Sequence, residues 1–118
     1  MIRAAVMFSA LVWSHAAVAK PNDPLASAMK LSRDYDECLD VHLVMFEPAK
    51  EAAADTVDAI LAACKNERAA IVLNYYEARK AKDPNYLVSD ADALVEDLFV
   101  EPKRSELLVE LFQMRSKR

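Results

Sequence analysis

The sequence predicts an all-α protein: a small three- or four-helix bundle built on an antiparallel helical hairpin that a disulfide staples. Three observations predict it. The 118 residues contain no Gly, which removes the residue that left-handed turns, tight β-hairpins and phosphate-cradling loops depend on. Ala, Leu, Glu, Lys and Arg, the strong helix formers, dominate the composition. Cys38 and Cys64 each fall on the apolar stripe of a helical segment, one segment following the other in the chain.

The first residues read as an export signal and stand outside the helical domain. Arg3 is the only charge before the ten-residue apolar run Ala4 to Trp13, and Ala17-Val18-Ala19 has the small-x-small form that a signal peptidase seats. A helix needs about 20 apolar residues to cross a bilayer, so the run is too short for an anchor. Cleavage is expected after Ala19, which makes 1–19 a signal peptide and leaves 20–118 as a single helical domain with no membrane span. Lys20, not Cys, follows the expected cut, which argues against a lipid-anchored lipoprotein. The expected compartment is periplasmic or secreted.

The elements follow from periodicity and breaks. The first helix should start at Pro24, capped by Asn22 or Asp23, and end before Pro48. Its stripe gathers Ala28, Leu31, Tyr35, Cys38, Leu39, His42, Met45 and Phe46. A second helix should run unbroken from Ala49 or Glu51 to Lys82, with Ala53, Val57, Ile60, Leu61, Cys64, Ile71, Tyr75 and Ala78 inward, until Asp83-Pro84-Asn85 stops it. A third should open at Ser89, where Ser89-Asp90-Ala91-Asp92 resembles a capping box. Ala91, Leu94, Val95 and Leu98 form its stripe. Pro102 should break or kink the chain before a fourth helix from Lys103 to Arg115, with Leu107, Leu108, Leu111 and Met114 inward. The basic end Arg115-Ser116-Lys117-Arg118 reads as a frayed, solvated terminus.

An even number of thiols in an exported chain reads as a disulfide. Residues that face each other across an antiparallel hairpin lie equally far from its turn. Position 51, midway between Cys38 and Cys64, is close to the break at Pro48. Spacing and facing therefore agree on a bond joining the first helix to the second.

Composition limits function. Without Arg3 the domain carries 14 Lys+Arg against 19 Asp+Glu, a formal charge of −5, which suits nucleic-acid binding poorly because that affinity rests on neutralising phosphates. No cofactor is implied. Cys38-x-x-x-His42 puts a thiol and an imidazole on one helical face, and Cys64 supplies a third donor. A formed disulfide cannot ligate zinc, so His42 reads as a buried, hydrogen-bonded histidine beside the bond and no metal site is assigned. Asp36, Glu37 and Asp40 share an outer face, which reads first as solvated, with a loosely held divalent cation or a basic partner as the alternatives. In Val41-His42-Leu43-Val44-Met45-Phe46 apolar residues occupy all sides of the helix. Either other helices cover that excess, or Val41, Leu43 and Val44 form a patch for a partner. His42 is the only histidine after residue 19, and the 26-residue cysteine separation is unlike a redox Cys-x-x-Cys pair, so no catalytic residue is assigned.

At Tyr35-x-x-Cys38-Leu39, Asp55-Thr56-Val57 and Ala63-Cys64-x-x-Glu67-Arg68 the chain resembles an uncharacterised group of small exported bacterial helical proteins with one Cys in each of two successive Ala-rich helices. The resemblance spans about residues 35–78. It implies a periplasmic, disulfide-stapled helical protein and carries no activity or binding residues. The expected function is that of a non-enzymatic periplasmic interaction or structural protein. The alternatives are a small-ligand or metal carrier near His42 and a periplasmic stress chaperone. The partner, if there is one, is a periplasmic protein, and the oligomeric state is left open.

Overall fold

The computed structural model describes residues 24–118. The expected signal peptide and the expected caps Asn22 and Asp23 lie outside the described residues. Those described form α1 (Pro24–Phe46), α2 (Ala53–Ala63), α3 (Lys65–Lys80), α4 (Val88–Val95) and α5 (Glu101–Ser116), with a π-helical turn (Glu96–Val100) joining the last two. No strand occurs among the described residues, so the all-α bundle stands.

α1 ends where Pro48 removes an N–H donor; the turn after it is closed by Ala49 N–H donating to the Phe46 carbonyl at 3.1 Å. The Cys38–Cys64 disulfide is present, with Cα atoms 5.9 Å apart. Leu31 and Ser32, before Cys38, line one cleft with Ile71, Asn74 and Tyr75, after Cys64. α1 therefore runs antiparallel to the arm formed by α2 and α3.

That arm departs from the expected single helix. It is interrupted at Cys64 (φ −104°, ψ 23°), whose N–H donates to the Leu61 carbonyl at 3.2 Å before the helix resumes with Arg68 N–H on the Cys64 carbonyl. No Gly or Pro marks this place, so no local signal announces it. The cause is tertiary: α2 packs on α1 and α5, whereas α3 packs on α1 and α4. A bend at the cystine lets one arm serve both neighbours.

Two other boundaries are corrected. Leu87, not Ser89, caps α4: Leu87 is extended (φ −105°, ψ 152°) and its N–H donates to Asp90 Oδ2 at 3.1 Å. Asp90 thus supplies the reach-back half of a capping box, from the third helical position. Pro102 does not break the chain. It sits in the first turn of α5, and the preceding turn widens so that Glu101 N–H donates to the Glu96 carbonyl, five residues back. The wider turn gives room around the carbonyl that a proline ring otherwise crowds.

The core joins every helix: Tyr35, Leu39 and Leu43 from α1, Val57 and Ile60 from α2, Cys64 at the bend, and Ile71 and Val72 from α3. Ala91, Val95, Val100, Leu107 and Leu111 complete it from the C-terminal half. Complete burial of a side chain such as Leu39, Ile60 or Leu111 contributes about 1.5–3 kcal/mol. α5 runs in the same direction as α1: near its start Lys103 meets Asp36 at 2.9 Å, and near its end Arg115 reaches Glu47.

Candidate functional site

Two regions at the C-terminal half of α1 hold the residues singled out by the sequence. The first surrounds the staple. His42, one turn after Cys38, places Nδ1 3.6 Å from Cys38 Sγ and 3.7 Å from Cys64 Sγ. The same nitrogen lies 2.8 Å from the Cys38 backbone carbonyl, and the ring meets Phe46 edge-on with centroids 5.6 Å apart. Cys64 is buried, while Cys38 and His42 are half-buried. The imidazole and both sulfurs therefore converge on one point at the edge of the core.

The second region is the apolar excess over residues 41–46, and the structure divides it. Val41 is 55 % exposed, Val44 67 % and Met45 61 %, whereas Leu43 is 4 % exposed. Leu43 therefore does not belong to a partner surface; it continues the core row of Tyr35 and Leu39, each one turn from the next. Met45, expected inward, joins the exposed set. Of the acidic residues, Glu37 and Asp40 are exposed, but Asp36 is half-buried and occupied by Lys103. The Asp36 carboxylate holds the Lys103 ammonium above the usual lysine pKa. Asp36, Asp40, Glu106 and Glu110 line a shallow cleft of about 160 Å³ between α1 and α5 with Lys103, Leu39 and Leu107.

Sequence reasoning missed a third set. Arg115, expected to fray into solvent, spreads its guanidinium over the turn between α1 and α2. Nε donates to the Glu47 carbonyl (3.2 Å), Nη1 to the Glu51 carbonyl (2.8 Å), and Nη2 to the Ala49 carbonyl (2.8 Å) and Thr56 Oγ1 (3.0 Å). Arg118 clasps the Glu47 carboxylate, with Nε 2.6 Å from Oε2 and Nη2 on Oε1. A turn without glycine cannot easily fold back on its own carbonyls, and Arg115 satisfies them from outside. Two arginines three residues apart at a helix end, in a chain with a Gly-free turn, are the one available signal. It names no target.

Polar groups also meet beside the π-helical turn. Arg68 donates to Asp92 Oδ1 at 2.7 Å, and Arg104 pairs with Asp58, which ties α5 to α2. The Tyr35 hydroxyl, on a residue 1 % exposed, has no hydrogen-bond partner among the described residues, nor does Glu96 Oε2. Burial pushes the Tyr35 phenol above its ordinary pKa. Tyr76 stacks on Tyr86 with centroids 6.4 Å apart, and Lys80 lies over the Tyr76 ring and Arg79 over the Tyr86 ring.

No helix among the described residues is long and apolar enough to cross a membrane. No family model, curated protein or solved structure matches the chain.

Proposed function

We propose that the chain is an exported, non-enzymatic interaction protein of the periplasm, which docks a protein partner through the C-terminal end of α1. The observation that carries this reading is the joint exposure of Val41, Val44 and Met45 on one short stretch of a helix whose other faces are packed. Large apolar side chains held together in water at a packed helix end are typical of contact surfaces. Glu37 and Asp40 border the patch, so the partner should present an apolar surface edged by Lys or Arg. Such a rim sets partner choice and association rate more than affinity. The signal-like sequence pattern of residues 1–19 supports the compartment, and a cystine that crosslinks the first hairpin suits an oxidising one.

The test places a photo-crosslinking residue at Val41, on the same exposed patch, in the export compartment and identifies the adduct by mass. The reading expects one dominant protein partner, lost with Val44→Asp and weakened by the charge reversal Glu37→Lys/Asp40→Lys. Because Val44 is exposed, Val44→Asp should change unfolding free energy by no more than about 0.5 kcal/mol. An adduct pattern unchanged by Val44→Asp, in protein that is still folded, rejects the docking face.

A further inference from the structure

We propose that Cys38, Cys64 and His42 form a redox-gated site for a thiophilic divalent cation, Zn²⁺ in the first instance, which the disulfide closes and reduction opens. The inference is independent of the docking face, because it rests on a different observation: three soft or borderline donors whose ligand atoms all lie within 4.8 Å of one another.

The distances are already close to those of a coordination shell. With Zn–S of about 2.3 Å and Zn–N of about 2.05 Å, a tetrahedral site separates a sulfur from a nitrogen by roughly 3.5–3.6 Å and two sulfurs by roughly 3.8 Å. His42 Nδ1 is 3.6 and 3.7 Å from the two sulfurs. Two of the three edges of the ligand triangle are thus in place, and the third is the sulfur–sulfur edge. Once the bond is cleaved, the two sulfurs need only part to that edge length. Their Cα atoms, 5.9 Å apart, stay put while the side chains rotate. The elements that set the triangle are fixed by packing, since Leu39 and Ile60 beside it are core residues. Cys38 and His42 are half-buried, which leaves the fourth position to water or to an incoming ligand, the pattern of an open zinc site.

The balance is that of thiol–disulfide exchange followed by metal binding. An external dithiol supplies two electrons and two protons, becomes a disulfide itself, and leaves two thiols at Cys38 and Cys64. Zn²⁺ then binds both as thiolates, and two protons pass to solvent. The metal does not change oxidation state. His42 must carry its proton on Nε2 and give up the single contact of Nδ1 with the Cys38 carbonyl, in exchange for three metal–ligand bonds. Reoxidation by an external disulfide reverses the sequence and expels the cation.

The experiment titrates the chain with Zn²⁺ alone, oxidised and after phosphine reduction, and repeats it with His42→Ala. The expected result is one Zn²⁺ per reduced chain and none per oxidised chain. Loss of an outer-shell partner alone weakens zinc sites about 10–100-fold, so removal of the imidazole ligand should weaken binding at least as much. If reduction unfolds the chain, Zn²⁺ should restore its helical circular dichroism in wild type and not in His42→Ala. The inference is overturned if the reduced, folded chain takes no zinc, if His42→Ala binds as tightly as wild type, or if an unfolded reduced chain gains no helix on adding zinc.

Discussion

Arg115 offers one guanidinium to three carbonyls and a hydroxyl between residues 47 and 56. Hydrogen bonds to a charged donor contribute about 1.5–3 kcal/mol each and do not add, so Arg115→Ala should cost about 2–3 kcal/mol in urea unfolding. Arg115→Lys should recover less than half of that, because an ammonium lacks the planar fork; full recovery would show that charge alone matters. Arg118 acts on Glu47 through protons. Its hydrogen bonds hold the Glu47 carboxyl below the usual glutamate pKa. The folded pKa lies below the unfolded one, so the contribution is complete above the unfolded value and is lost as pH falls through the folded value. The melting temperatures of wild type and Glu47→Gln should therefore differ near neutrality and converge below about pH 4.3; curves that keep their separation down to about pH 3 reject the contact. Tyr35→Phe removes a buried hydroxyl that has no partner, and should leave stability unchanged or raise it by up to about 1 kcal/mol; a clear loss would reveal a partner for that oxygen. These residues were illegible in the sequence for one reason. A guanidinium's target and a phenol's isolation depend on which segments meet, and Arg115 meets a turn 59 to 68 positions earlier.

Among elements, the staple was the most legible, because it follows from two cysteines, their equal distance from a turn and their places on two apolar stripes. Closing a loop of 26 residues contributes about 3.5 kcal/mol in the chain-entropy model. Cys38→Ala/Cys64→Ala should lose a comparable amount in denaturant titration; a loss under about 1 kcal/mol would mean that the reduced chain is already restricted. The end of α1 was legible too, since Pro48 acts locally. The division of the second arm at Cys64 was not, because periodicity carries straight through Ile60, Leu61 and Cys64. Pro102 misled in the opposite direction. It is a strong local breaker, yet the π-helical turn ahead of it accommodates the ring without ending the run from α4 to α5. Leu43 was misplaced because a run that is apolar on every side gives no phase, and only the neighbouring helices choose which side is core.

At the scale of the molecule, composition sufficed for the class, since a chain with no Gly and abundant Ala, Leu and Glu has few other solutions. The proposed export makes one direct prediction: protein recovered from the export compartment should begin at Lys20 by intact mass, and a product that retains Met1–Ala19 rejects the cleavage. The Arg115 contact bears on the same route. Glu51 presents its carbonyl 64 residues before the guanidinium that satisfies it. At synthesis rates of about 5–20 residues per second, the turn waits roughly 3–13 s for its counterpart. Through that interval the turn between α1 and α2 is without its lock. A chain that must thread a translocation pore unfolded gains from such delayed closure, because what completes the domain emerges long after the segment it secures.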